Sequence, residues 1–482
     1  MRPSFLALAL LLAPAAPAAA DLAPASELTA KVEEYMTARV DRDRFSGTIL
    51  IAHDSKPIVR RAYGMANLEL DVPCKPESIY RLGSITKQFT ATAVLILQEQ
   101  GKLKVSDPVG KHVAKTPKTW DKITIEHLLT HTSGIPNYTG LASFSKLITT
   151  KLALTELIAT FKDLPLRFPP GEKFEYSNSG YIVLGQVIET AAGKTYEQFL
   201  KEVIFDPLGM RDTAYDHPTP IVKNRAAGYG RFLGLATANA DYIDMSLPHA
   251  AGALHSTVDD LLKWDQAIAT AKLVPAKSLE AMFTPRKGNY GYGWMIEKRF
   301  GQTRQEHGGR IPGFVAMIAR FPAEKLLIVI LSNQDFAPVS RIGDDLAAIA
   351  LGQPYVVPRL PKPIVVDAKA LDLFTGEYEV DRPQGEKRIV KVAQDGKRLV
   401  IGPKEGKSVM LAVPESSTGF YVLFQDVAFE FDRDKEGAVL GFTMIEDNER
   451  IKARRLPAAK AAADATPKPL PPAEAGKPRS GS

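Results

Sequence analysis

Cysteine is almost missing from this sequence: Cys74 is the only one in 482 residues, so no internal disulfide can form. The fold must hold by packing, and a cysteine without a partner is expected to be a buried apolar residue. Long hydrophobic runs are missing too. The apolar stretch near the start, Phe5 to Ala13, is cut by Pro14 and Pro17 and falls short of the roughly 20 apolar residues that span a bilayer. No later segment reaches that length, so stable membrane insertion is not expected. Charge of one sign is not concentrated either: 61 Lys and Arg against 55 Asp and Glu leave a net +6 with no basic run in the folded portion. Nucleic acid is therefore not an expected partner. Three common signatures are also absent: a Gly-x-Ser-x-Gly elbow, a His-Glu-x-x-His helix, and a glycine-rich nucleotide loop between strand and helix. His127 and His131 stand four apart, but no glutamate follows His127. They read as helix and loop residues, with His131 supporting the turn at Ser133-Gly134, and neither a metal nor another cofactor is expected.

The residues that are present lay out the organisation. Met1 and Arg2 before the apolar run, then Ala18-Ala-Ala20 before Asp21, have the layout of a secretory signal. A signal peptide over residues 1–20, and a periplasmic or secreted mature chain, are predicted. At 45% hydrophobic and 24% charged, the remainder has the balance of a soluble globular protein with room for more than one core. Leu28, Val32 and Met36 fall at helical spacing, and Ser46 to His53 with Pro57 to Gly64 read as a β-hairpin. A helix with few polar positions follows from Ser84 and is predicted to be buried between layers. From about Lys111 to Met245 the pattern is mostly helical, whereas Tyr290 to Glu297, Phe314 to Phe321 and Leu326 to Ser332 read as strands and Ser340 to Leu351 as a closing helix. The first unit, 28–352, is thus predicted to be an antiparallel sheet flanked by helices, with an inserted helical block. Residues 353–365 form a Pro-rich linker. Closely spaced short strands over 366–456 predict a small antiparallel barrel or sandwich. The tail 457–482, rich in Ala, Pro, Lys and Gly, is expected to be disordered.

Three short segments carry reactive side chains. Ser84 and Lys87 are three apart at the start of the apolar helix, so their side chains share one face. An amine held neutral can take a serine's proton and make the hydroxyl a nucleophile. The plain alternative is a helix cap beside a solvated lysine. Ser143 and Lys146 repeat the spacing, but in a loop with no buried helix after it, and read as chance. Phe174-Glu-Tyr-Ser-Asn178 places Tyr176 and Asn178 two apart; a phenol can relay a proton, and an amide can hold both lysine and substrate. Glu306-His-Gly-Gly-Arg-Ile-Pro-Gly313 is a glycine-rich strand end in which the backbone can approach a substrate and help stabilise an oxyanion. Taken singly, the last two read more readily as a tyrosine in a turn and a surface histidine.

Together, Ser84-Ile-Thr-Lys87, Tyr176-Ser-Asn178 and His307-Gly-Gly309, in this order, resemble the signature motifs of the serine penicillin-recognising enzymes. The nearest likeness is to class C β-lactamases, D-alanyl-D-alanine carboxypeptidases, D-aminopeptidases and related esterases. Leu128-Leu-Thr-His-Thr-Ser-Gly134, Phe168-Pro-Pro-Gly171, Pro207-Leu-Gly-Met210 and Ala251-Gly-Ala-Leu-His-Ser-Thr257 agree as well. The resemblance covers about Ser46 to Leu351. It implies the β-lactamase/transpeptidase-like fold, α/β plus all-α, and segment 366–456 is similar to the lipocalin-like C-terminal domain of some relatives. Carried over, it makes Ser84 the nucleophile, Lys87 its neutralised or proton-relaying partner, and Tyr176 the base for attack and the donor to the leaving group. Asn178 would orient Lys87 and the substrate amide, and His307 and Gly309 would line the opposite wall. The backbone N–H groups of Ser84 and Arg310 would form the oxyanion hole. Many members carry lysine where His307 stands, so β-lactam hydrolysis is expected to be weak here, with Arg310 as a compensating charge. The expected function is an exported serine hydrolase acting through an acyl-enzyme on small amides, esters or D-amino acid peptides. Its alternatives are a β-lactamase hydrolysing β-lactam antibiotics and a non-catalytic sensor that binds penicillin or cell-wall fragments.

Overall fold

In the computed structural model, which describes residues 24–457 apart from 233–235, 360–361, 382–386, 404–409, 423–426 and 447–448, six antiparallel strands make the central sheet. They are β1 Gly47–His53, β2 Lys56–Tyr63, β3 Met295–Arg299, β4 Gln302–Ile311, β5 Phe314–Phe321 and β6 Leu326–Ser332, in the order β3-β4-β5-β6-β1-β2. Strands β5 and β6 are buried at every residue, as they must be when both faces of a sheet are covered. Side chains alternate between the faces. Ile49, Ile51, Met317, Ile328 and Ile330 enter one core, and Leu50, Ala52, Ile318, Leu327 and Val329 enter the other.

Five helices of twelve residues or more position the rest of the unit: α1 Ala25–Asp43, α2 Thr86–Glu99, α3 Asn178–Ala192, α4 Val258–Ala269 and α5 Val339–Ala350. Helix α1 turns Leu28, Val32, Tyr35 and Met36 inward, and Tyr35 donates to Asp345 Oδ2 on α5 at 2.7 Å. Helix α2 is buried from Thr86 through Leu97, so its polar side chains need partners. Thr90 Oγ1 donates to the Ala250 carbonyl at 2.6 Å, and Gln88 Oε1 accepts from Trp264 Nε1 at 3.1 Å. Phe89 stacks on Trp264 with centroids 4.2 Å apart.

Two sequence readings need correction. The block from Lys111 to Met245, read as mostly helical, is less helical than that, since short helices alternate with irregular chain and with a hairpin of Tyr229–Phe232 and Ala236–Asn239. The stretch Tyr290 to Trp294 is not a strand. Gly293 adopts φ +79°, and a Cβ there would lie 2.7 Å from the Lys87 carbonyl, so this segment turns to pack on the backbone of α2 before β3 begins.

Compact units divide at residues 360 and 361. The second contains a closed barrel of eight antiparallel strands, running from Gly376–Asp381 to Glu449–Arg455, with the first paired to the last through Tyr378 and Arg455. Met410–Pro414, Val439–Glu446 and Glu449–Arg455 are among its strands. Eight strands enclose a space that side chains can fill. Here Tyr378, Phe420, Phe429, Phe431 and Phe442 pack inside it, and Phe374 lies 4.8 Å from Phe431, centroid to centroid. Between the units, residues 353–359 carry no regular structure. The signal segment 1–20 and the tail beyond Pro457 lie outside the described residues.

Candidate active site

The site is assembled where the start of α2, the start of α3 and the end of β4 converge. Ser84 lies in a single 3-10 turn, Gly83–Ile85, that runs into α2. Lys87 is on the next turn, fully buried, with Nζ 3.0 Å from Ser84 Oγ, 2.9 Å from Asn178 Oδ1 and 2.7 Å from the Ala251 carbonyl oxygen. The shared face inferred from spacing is therefore a direct contact. Burial pushes the Lys87 amine well below the usual lysine range. A neutral amine has two hydrogens and one lone pair. The Ala251 carbonyl and Asn178 Oδ1 can only accept, so they take the two hydrogens and the lone pair is left for the Ser84 hydroxyl.

Tyr176 stands beside this pair. Lys87 Nζ lies 4.9 Å from the centroid of its ring. Burial raises the phenol above the ordinary tyrosine value, and hydrogen bonding with Ser84 pulls it partly back. Burial thus favours the neutral amine and the protonated phenol. The two shifts share one cause, since burial disfavours both charged forms. Asn178, the first residue of α3, is fixed on three sides. Its N–H donates to Asn137 Oδ1 at 3.1 Å, its Nδ2 donates to Thr139 Oγ1 at 3.3 Å, and its Oδ1 faces Lys87.

The end of β4 touches the Ser84 turn backbone to backbone. Gly83 has φ +53°, and a Cβ on it would lie 2.8 Å from the Arg310 nitrogen. A Cβ on Gly309 would lie 1.9 Å from the Leu82 carbonyl oxygen and 3.0 Å from the Ser84 nitrogen. Glycine at both positions lets residues 84 and 310 approach closely enough for their amides to serve one oxyanion. The turn is also clamped from behind. Arg81 pairs with buried Asp216 at 2.6 Å, and Asp216 also receives Arg225 at 2.8 Å and His255 at 3.3 Å. His255 lies on the strand Leu254–Ser256, which pairs with Tyr80–Arg81.

His307 differs from its expected place on the wall. Its ring is buried, with Nδ1 2.5 Å from the Gly308 carbonyl and Nε2 2.9 Å from the Tyr290 hydroxyl. The carbonyl can only accept, so Nδ1 carries the proton and Nε2 accepts from Tyr290. Burial and the neighbouring Lys87 hold the imidazole down to about 3, hence neutral. Arg310, by contrast, is exposed and lines the cleft.

Two contributors were not assigned from sequence. Ala251 acts through a backbone carbonyl, which leaves no side-chain signature. His131 does more than support a turn. Its ring lies 4.2 Å from that of Tyr176 and 4.7 Å from that of Tyr290, and its Nδ1 accepts from the Ser177 N–H at 3.1 Å. His127 instead completes a cap, accepting from the Thr124 N–H at 3.2 Å. Among the described residues no group of three or more His, Cys, Asp and Glu is placed to hold a metal ion. Cys74 is buried, with Sγ 3.5 Å from Ser46 Oγ.

A serine, a buried lysine and a tyrosine on this sheet-and-helix frame define the serine β-lactamase/penicillin-binding-protein-like class of hydrolases. The chain belongs to the Beta-lactamase family, which it matches over residues 28–353. Among relatives, a penicillin-binding protein of Bacillus subtilis (strain 168) is 28% identical over 443 residues, covering 86% of this chain and 96% of that protein. The octameric penicillin-binding protein homologue from Pyrococcus abyssi superposes with a TM-score of 0.62 at 26% identity, over 88% of this chain and 99% of its own. A D-stereospecific amidohydrolase from Streptomyces sp. gives a TM-score of 0.57 at 26% identity, over 67% and 98%. No helix among the described residues is long and apolar enough to cross a membrane.

Proposed function

We propose that this protein is an exported serine hydrolase that cleaves small amides or esters, derivatives of D-amino acids among them, through an acyl-enzyme on Ser84. The observation that carries the reading is the placement of Lys87 Nζ, 2.7 Å from the Ala251 carbonyl oxygen, 2.9 Å from Asn178 Oδ1 and 3.0 Å from Ser84 Oγ, where a neutral amine would give its two hydrogens to the first two and turn its lone pair to Ser84. As Ser84 Oγ bonds to the substrate carbonyl carbon, its proton passes to Lys87. The oxyanion is received by the amides of Ser84 and Arg310. Tyr176 gives its proton to the leaving group as the C–N or C–O bond breaks, and is reprotonated from Lys87. Water then attacks the Ser84 ester by the reverse proton path, releasing the acid and restoring the serine. The likeness to a D-stereospecific amidohydrolase supports an amide substrate. A neutral, buried His307 with both nitrogens engaged offers no cation for a β-lactam carboxylate, which ranks amidase or esterase action above β-lactamase action.

A fluorophosphonate probe tests the reading, with mass mapping expected to place the adduct on Ser84. The change Ser84→Ala should abolish both labelling and turnover, and Lys87→Met should lower acylation by roughly 10²–10⁴-fold. Undiminished turnover by Ser84→Ala would remove the basis of the proposal.

A further inference from the structure

A cleft of about 240 Å³ opens beside Ser84, and Tyr176 and His307 are not among its lining residues. Under the proton path above, the leaving group departs toward Tyr176. The cleft therefore lies on the acyl side of the scissile bond, and its chemistry describes what the enzyme transfers. Its walls are apolar: Phe144, Ile148, Ile243, Pro248, Ile311 and the ring of Tyr138. The Tyr138 hydroxyl is already committed, donating to the Leu247 carbonyl at 2.6 Å, so Tyr138 offers the cleft an aromatic face. Thr139 Oγ1 accepts from Asn178 Nδ2 at 3.3 Å, which leaves its O–H as one of the few polar groups on the cleft. Backbone ties stiffen the wall, because the Asp244 N–H donates to the Ile148 carbonyl at 2.9 Å and Tyr138 packs on Phe144 with centroids 5.6 Å apart.

Among the described residues no carboxylate lines the cleft, and its one charged side chain, Arg310, is exposed. A free α-ammonium next to the scissile carbonyl would meet no counter-charge there, and a charged acyl chain would lose its hydration against isoleucine and proline, a cost that the exposed, water-screened guanidinium of Arg310 offsets little even for a carboxylate. We infer that the acyl group accepted at Ser84 is uncharged and apolar: a medium-length aliphatic or aromatic acyl chain, or an N-acylated rather than free amino acid. This rests on the acyl-enzyme reading and narrows its substrate class.

The inference is tested with p-nitrophenyl acetate, butyrate, hexanoate and hydrogen succinate, and with free and N-acetylated D-phenylalanine p-nitroanilide, on the full-length protein. Each methylene buried in the cleft should raise kcat/KM roughly fourfold. Hexanoate should therefore exceed acetate by at least about tenfold, with succinate below butyrate and the N-acetylated anilide above the free one. In Ile148→Trp, which shortens the cleft, the hexanoate-to-acetate ratio should fall below that of the wild type. A flat chain-length series, or preference for succinate or for the free amine, overturns the inference while Ser84 labelling leaves the acyl-enzyme reading standing. Failure of fluorophosphonate to label Ser84 overturns both. The wild-type series decides the matter even where Ile148→Trp does not fold.

Discussion

At the scale of single residues, the site depends on keeping a lysine neutral and a tyrosine protonated in the same buried space. The sign of each shift predicts a pH profile for acylation. Lys87 is shifted down, so acid must protonate its lone pair before activity is lost, and the acidic limb lies well below the ordinary lysine range. Tyr176 is shifted up, so it keeps its proton through neutral pH and the rate declines only in alkali. Tyr176→Phe should lower the rate and remove the alkaline limb while leaving the acidic one; an unchanged alkaline limb would assign it to another group. Asp216 makes a second residue-scale case. Burial raises its carboxyl, but the hydrogen bond from His255 and the charges of Arg81 and Arg225 outweigh it and hold the group at about 2 against an ordinary 3.8, so the buried cluster contributes stability that is complete above about pH 4 and is lost as pH falls toward 2. Asp216→Asn leaves Arg81 and Arg225 facing a neutral amide, and denaturant melts at pH 7 should show a loss of about 3–5 kcal/mol, shrinking as the pH is lowered. Ser84 and Lys87 were legible because a side-chain pair three apart on a helix has a fixed consequence. Ala251 and Asp216 were not, since one acts through a carbonyl common to every residue and the other joins partners up to 135 positions apart.

At the scale of elements, the Ser84 turn and strand β4 are held in register by what their glycines lack. The change Gly309→Ala places a methyl where the Leu82 carbonyl oxygen stands 1.9 Å away, and neither neighbour is a flexible side chain that can swing aside. The strand must move back by a large fraction of an ångström, which separates the two oxyanion amides. Acylation of Ser84 should fall by on the order of 10²-fold, with far-UV circular dichroism unchanged. Near-native labelling rates in a folded Gly309→Ala protein would show that residue 310 does not contribute to the oxyanion hole. Periodicity identified β1, β5, β6, α2 and α5 because each buries a continuous stripe or face. It failed at Tyr290 to Trp294, where aromatic residues with β propensity instead turn through Gly293 onto Lys87 and deliver the Tyr290 hydroxyl to His307. There the tertiary contact, at a separation no local pattern encodes, decides the conformation.

At the scale of the whole molecule, the described residues form three hydrophobic cores, two on opposite faces of the central sheet and one inside the barrel. The sheet cores share strands: Leu50 faces one and Ile51 the other, so neither can melt without exposing the other. The barrel core shares no residue with them. It is built around Phe431, whose ring lies within 6 Å of those of Phe374, Tyr378, Phe420 and Phe442. Truncating such a ring to alanine typically costs about 3–5 kcal/mol, through lost transfer energy and the cavity left behind. Phe431→Ala should therefore lower the midpoint of one unfolding step. Ser84 labelling, which depends only on the cores around α2, should be lost at the same denaturant concentration as in the wild type. The comparison requires two readouts on one sample: barrel tyrosine and phenylalanine packing by near-UV circular dichroism, and fluorophosphonate labelling of Ser84. If both midpoints move together, the two units unfold as one cooperative body, and separate cores do not here translate into separate stabilities.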